Sequence, residues 1–390
     1  MISFRQYLSE ETETKLKHIH HAEDRPLLHG ASGFEHTVGA LTQAHTQMKS
    51  GKKSSGLTMK YDGSPSIVFG RHPETGRFFV ASKSAFNKNP KINYTEQDIE
   101  QNHGHAPGLV AKLKHALKHL PKVTPGKGVY QGDVMFSGND VQSADGKASF
   151  TPNTITYTAS GDSAKKIKRA KFGVVVHTKY AGKTLDSMKA TPNVDAENFT
   201  SHPDVYHHTA DYDTSRINYP KEAQKEFEGH VAAAKAIHEK HGAKMYGATS
   251  RHGGEGGHLS TYINATVRSG ETPSVEGFRQ HVASHYGAKI KKLKMPNKIE
   301  AKHAEAAEHE AHILANQRHY ANLLGMHGHL QAAKNVLVKQ LEQNPGGYGH
   351  SIGGKPSQPE GFVVNHGGEP TKLVNRAEFA RQNLLKSRRG

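Results

Sequence analysis

Lys60-Tyr61-Asp62-Gly63-Ser64 is the segment whose residue types could do chemistry. It follows the apolar Leu57-Thr58-Met59, so Lys60 stands at the end of a strand, just before a tight turn. Burial and nearby cations lower an amine's pKa from about 10.4, and the neutral amine can attack phosphorus. On its own, the pattern is better read as a surface lysine in a charged hairpin, since so short a motif recurs by chance. Two later segments change that reading. Pro359-Glu360-Gly361-Phe362-Val363-Val364 sets a carboxylate directly ahead of an apolar strand, and Lys372 follows one hairpin later. Nucleotidyl transfer from ATP needs a lysine nucleophile, carboxylates for a divalent cation and a cation on the α-phosphate. The chain offers one of each, in strands and in a workable order.

The order resembles that of the covalent nucleotidyltransferase superfamily of DNA ligases, RNA ligases and capping enzymes, and bacteriophage RNA ligases most of all. The resemblance implies that Lys60 forms the phosphoramide with AMP, with Met59, Asp62 and Gly63 completing that motif. Ser82-Lys83-Ser84, expected on the next β-hairpin, is similar to the family's following basic position, which implies phosphate contact by Lys83. Tyr130-Gln131-Gly132-Asp133-Val134 resembles the third motif, with Asp133 where the family has glutamate. Phe172-Gly173-Val174-Val175-Val176 resembles the strand whose aromatic, here Phe172, stacks on adenine. Glu360-Gly361 matches the metal-site motif, so Glu360 and Asp133 are the implied Mg2+ ligands. Lys372 matches the final motif as a further catalytic and nucleotide-binding residue. Val374 replaces the family's second lysine, and Arg376 is the substitute on offer.

What the resemblance implies is an ATP- and Mg2+-dependent polynucleotide ligase joining RNA, in preference to DNA, strand ends through lysyl-AMP. Two other readings stay open: an adenylyltransferase acting on another acceptor, and a basic nucleic-acid-binding protein on a decayed fold. The whole chain is also similar to a family of uncharacterised tailed-phage proteins. They share the His-rich opening with Glu23-Asp24, the KxDGxP segment and Phe79 to Lys88. That points to the cytoplasm of a phage-infected bacterium.

Composition agrees with a polyanionic partner. The 390 residues carry 52 Lys and Arg against 36 Asp and Glu, a net charge of +16, and each neutralised phosphate releases counterions. The mean hydropathy of −0.73 indicates a very polar surface. Without cysteine, disulfides and thiolate metal sites are excluded. No apolar run suits a membrane span, and Met1 to Glu10 does not read as a targeting peptide. Of the 30 histidines, none lies in an HExxH pattern, and the run His303 to His312 has the wrong spacing. No zinc site is expected, and most histidines read as solvated.

The elements that must position these residues imply an α+β fold. It comprises an antiparallel β-rich, ATP-grasp-like nucleotidyltransferase domain with N-terminal helices and a large helical insertion. Residues 1–50 read as helical, with Leu16, Ile19, Leu27, Phe34, Leu41 and Met48 at helical spacing. Residues 51–185 read mainly as strands, with Asp62-Gly63 as a hairpin turn and one helix over 108–120. Residues 186–345 form the insertion: a polar passage to Tyr219, then helices over 220–241, 274–286 and 299–343. The last of these is expected to be split at Gly325 and Gly328. Gly253 to Gly257 reads as a flexible connection without the strand-before, helix-after setting of a phosphate loop. In 346–390 the chain returns to strand after a linker over 353–359, and Arg376 to Lys386 reads as a basic terminal helix. Only a short tail follows Lys372, which on this reading leaves no room for the OB domain of DNA ligases and capping enzymes.

Overall fold

The computed structural model describes residues 19–51, 56–191, 194 and 196–376. Leu16 and all of the expected terminal helix beyond Arg376 lie outside them. The helices, in chain order, are α1 (Arg25–Ser50), α2 (Glu96–His103), α3 (Pro107–His119), α4 (Gly161–Arg169), α5 (Lys221–Thr249), α6 (His258–Ser269), α7 (Val275–Ile290), α8 (Pro296–Ala315) and α9 (Gln317–Leu341). The strands are β1 (Leu57–Lys60), β2 (Ser66–Arg71), β3 (Phe78–Ala81), β4 (Val129–Ser137), β5 (Gln142–Ala144), β6 (Lys147–Phe150), β7 (Thr156–Ala159), β8 (Phe172–Ala181), β9 (Lys189–Thr191), β10 (Val205–Thr209), β11 (Gly349–Ile352), β12 (Lys355–Pro356), β13 (Gly361–His366) and β14 (Glu369–Leu373).

The chain is α+β and divides into two units. The β-rich unit holds Gly51–Arg216 and Glu342–Pro370. Its largest sheet has the path β10-β8-β4-β2-β3. All its pairings are antiparallel except β8 with β10. Alternation along the strands separates its two faces. Ile67, Phe69, Tyr130, Val134, Phe172, Val174 and Val176 pack against Val110, Leu113 and Ala116 of α3. Val68, Phe79, Val129 and Tyr180 belong to a second cluster. A five-stranded sheet has the order β12-β11-β7-β6-β5. Strands that follow the insertion complete this unit: β11 pairs with β7, and β13 with β1.

The other unit holds His20–Ser50, Ile217–Leu341 and the chain from Thr371. The first helix therefore belongs with the insertion rather than standing as a separate segment, and residues 186–216 belong to the β-rich unit. The helices α5 and α9 pack along each other, and α1 packs against both. At the centre lies a charged cluster. Lys334 Nζ donates to Glu23 Oε1 at 2.6 Å and to the Val374 carbonyl at 2.6 Å, and both charged side chains are wholly buried. Arg376 Nη1 meets both oxygens of Asp24, at 3.0 and 2.8 Å, and His327 Nε2 lies 3.0 Å from Asp24 Oδ1. Arg376 is thus consumed by Asp24 and supplies no substitute phosphate contact.

Several local expectations are corrected. Asp62-Gly63 does not close a hairpin, because β1 pairs with β13 while β2 pairs with β3 and β4. The long helix is interrupted at Asn316, not at Gly325 and Gly328, which lie inside α9. Gly257 is the residue from which α6 starts, so the glycine run does precede a helix, although 3-10 structure rather than a strand comes before it. The supposed linker 353–359 contains β12, with Gly353-Gly354 as the turn from β11. Among the described residues no helix is long and apolar enough to cross a membrane.

Candidate functional site

Antiparallel pairing puts Lys60 opposite Gly361, so Glu360 lies beside the end of β1. Gly361 takes φ 148°, which favours glycine there. Lys60 Nζ forms an ion pair with Glu360 Oε1, and both side chains are largely shielded from solvent. The second oxygen, Glu360 Oε2, is buried without a protein partner. Burial pushes the Glu360 carboxyl up; Lys60 opposes this, while Asp62 and Asp133 add to it, and the net shift is upward. Sequence reasoning expected cations near Lys60. The structure surrounds it with carboxylates instead.

Asp62 is an anchor. Its Oδ2 accepts from the backbone N–H of Thr154 at 2.7 Å and of Ile155 at 2.8 Å, and its Oδ1 from Asn153 Nδ2 at 2.8 Å. Its own N–H donates to the Tyr157 hydroxyl at 2.7 Å. With three donors on its carboxylate, Asp62 fixes the course of the chain after Lys60 and is not available as a free base. Tyr61 adds a second anchor, its ring packed among those of Tyr157, His208 and Tyr348. Lys112 of α3 donates to the Ser64 carbonyl at 2.6 Å, and Ser64 N–H to the Val134 carbonyl at 3.0 Å.

That last bond ties the loop to β4, where Asp133 pairs in register with Ser66. Burial would raise the Asp133 carboxyl, but His177, Ser66 and Lys60 together hold it below its usual value. His177 Nε2 lies 3.5 Å from Asp133 Oδ1. Gly63 is required by close approach: a Cβ there would stand 2.5 Å from Asp133 Cβ. Replacing Gly63 by alanine is therefore expected to cost about 1–3 kcal/mol and to push Asp133 away from Lys60. The melting temperature of the variant checks the first effect, and AMP uptake the second.

Three expected site residues behave otherwise. Phe172 is wholly buried on the α3 side of the sheet and cannot stack on a ligand. The ring beside Asp133 is that of His177, an odd number of residues along β8, a position to which sequence reasoning gave no role. Met59 faces away from Lys60, buried and packed against Gly346. Lys83 is exposed and opens a 3-10 turn directly after β3 rather than lying on a hairpin. It does stand at the end of the sheet where Ser66 and Asp133 pair. Lys372 lies on β14, in the three-stranded sheet β1-β13-β14 that also carries Lys60, and its N–H donates to the His20 carbonyl at 2.9 Å.

The histidines are less solvated than expected. In the helical unit, His252 is buried, with Nδ1 2.5 Å from the Tyr320 hydroxyl and Nε2 2.8 Å from His309 Nδ1. Its ring also neighbours those of His258 and His312. Burial and the adjoining histidines bring His252 down to about 3 and His258 to about 4. Both values are lowered, so the unfolded chain binds more protons below about pH 6.5. Their contribution is complete above about pH 7 and is lost as pH falls toward 4, at about 1.4 kcal/mol per pH unit for each titrating ring. The melting midpoint is expected to drop steadily between pH 7 and 5, with a shallower fall in His252→Gln. Among the described residues no group of three His, Asp or Glu side chains is arranged to hold a metal ion.

A profile for DUF6267, a family of unknown function, matches residues 16–388. The chain belongs to that family. No curated protein and no solved structure matches it. The match runs through both units.

Proposed function

We propose that this DUF6267 protein is an ATP-dependent nucleotidyltransferase that carries AMP on Lys60 and uses it to join nucleic acid strand ends, RNA in preference to DNA. The observation that supports this reading most is the Lys60–Glu360 pair, held across β1 and β13 with Asp133 close enough to act on both electrostatically. These residues come from positions about 300 apart in the chain.

In the first step Lys60 gives up its proton, with Glu360 as the adjacent acceptor. The freed Nζ bonds to the α-phosphorus of ATP, the bond from that phosphorus to the bridging oxygen breaks, and pyrophosphate leaves. AMP then passes to a 5′-phosphate, freeing Lys60, and a 3′-hydroxyl displaces AMP as the strand closes. Lys83 presents a cation toward the phosphate chain. The His177 ring, beside Asp133, lines the site where the sequence had suggested Phe172. Glu360 Oε2 and Asp133 are the groups that would hold a divalent cation. Magnesium is commonly bound by one or two carboxylates together with substrate phosphates, and it would neutralise charge on the triphosphate.

The test is incubation with α-labelled ATP and magnesium, followed by denaturing electrophoresis. Label is expected on the wild-type band and not on Lys60→Ala. An unlabelled wild type would leave a nucleic-acid-binding protein without catalysis. Label without sealing of nicked RNA or DNA would restrict the reading to transfer onto another acceptor.

A further inference from the structure

The helical unit carries a concentrated positive charge at one end of the α7–α8 hairpin. Lys289, Lys291, Lys292, Lys294 and Lys298 are all exposed, and between Gly287 and Ala301 the one acid is Glu300. None of these five lysines has a carboxylate partner among the described residues. The other acids of α8 are further along and already engaged: Glu305 with Lys302, Glu308 with Arg251 and Glu310 with Arg279. The hairpin is therefore charge-segregated, neutralised along its body and bare at its tip. Met295, on the same turn, is 51% exposed and one of two large apolar side chains so exposed among the described residues.

We infer that the α7–α8 tip is a docking surface for the phosphate backbone of a nucleic acid strand. The tip offers lysines and no arginine. Ammonium groups are hydrated point charges that bind phosphate without the planar, bidentate geometry of base or carboxylate recognition. Five such groups on a short turn match a line of phosphates, and the flexible Met295 side chain can lie against an unstacked base. An anionic membrane fits less well. Surface helices that enter bilayers present a broad apolar face, whereas here Phe278, Val282, Tyr286 and Ile313 are turned inward, and the two exposed large apolar side chains, Met295 and Leu314, stand at opposite ends of α8. This inference does not depend on nucleotidyl transfer, because binding is measured without ATP.

The test is fluorescence anisotropy of a labelled single-stranded RNA of about 20 nucleotides, a length that exceeds the few phosphates contacted. Wild type is compared with the combined Lys291→Gln, Lys292→Gln, Lys294→Gln and Lys298→Gln protein. A charge-matched control carries Lys147→Gln, Lys166→Gln, Lys168→Gln and Arg169→Gln, all at exposed positions of the β-rich unit. The tip variant should bind at least about tenfold more weakly at moderate salt, and its log–log salt slope should be shallower by about 2. The control should stay close to wild type. Circular dichroism should show the helical content of the tip variant unchanged. Equal weakening in both variants would reduce the effect to net charge and overturn the inference. So would unchanged RNA binding with a loss confined to phosphatidylserine vesicles.

Discussion

Glu360→Gln protein will take up AMP from ATP at least about a hundredfold more slowly than wild type, with its fold intact. The Glu360 carboxylate is the group Lys60 Nζ contacts, and it is the nearest acceptor for the proton the amine must lose. Glutamine keeps the volume and can still accept a hydrogen bond, but it cannot take that proton or hold a cation. The pH profile separates this role from a structural one. Burial holds the Glu360 carboxyl above its usual range. Below that raised value the carboxyl is protonated and Lys60 has lost its acceptor. The acid limb of wild-type AMP uptake should accordingly sit higher than an exposed glutamate would place it. In Glu360→Gln the residual rate should show no limb from this group. A merely structural role would lower the rate at all pH values without moving the limb.

The largest effect on stability is expected in the helical unit. Lys334→Ala should cost about 3–5 kcal/mol, enough to unfold that unit at moderate temperature. Lys334 and Glu23 are both wholly buried, and Lys334 also caps the Val374 carbonyl. Burial alone would raise the Glu23 carboxyl; Lys334 holds it below its usual value, so Glu23 stays ionised. Removing the ammonium leaves that charge in an apolar interior with one oxygen already unpartnered. It also breaks the link that Lys334 makes between Glu23 and the Val374 carbonyl. The paired replacement Lys334→Met with Glu23→Leu should recover most of the loss, because a buried ion pair exchanged for apolar groups costs little. Chemical denaturation followed by circular dichroism measures both.

Much of the β-rich unit was legible because its strands are short apolar runs separated by glycine turns. The return of the chain after the insertion was legible at Gly361 to Val364, an apolar strand too isolated to fold by itself. The Lys60–Glu360 pairing was legible as chemistry, since each residue stands at a strand end next to glycine. The assignment of Phe172 failed for a physical reason. Val174, Val175 and Val176 are buried on both faces of a central strand, which hides the alternation that separates Phe172 from His177. Counting parity from Phe172 would have put His177 on the opposite face. The hairpin reading of Asp62-Gly63 failed because the Asp62 carboxylate bonds to backbone 92 and 93 residues away, which no local pattern reports. The short helix α2 has a single buried aliphatic residue, Ile99, yet its Thr95–Asp98 capping box was a usable signal. Gly325 does not break α9, because the helix is held by packing against α5, with Ile237 close to that glycine. The histidines misled because several pack against tyrosines, as buried His252 does against Tyr320 and half-buried His208 against Tyr348.

The most direct measurement is intact and peptide mass spectrometry of protein incubated with ATP and magnesium, then quenched in base to preserve a phosphoramide. The account predicts a mass increase of one AMP per chain, located on the peptide that contains Lys60 and released on mild acid treatment. An adduct on another residue, or none after prolonged incubation of correctly folded protein, would contradict it.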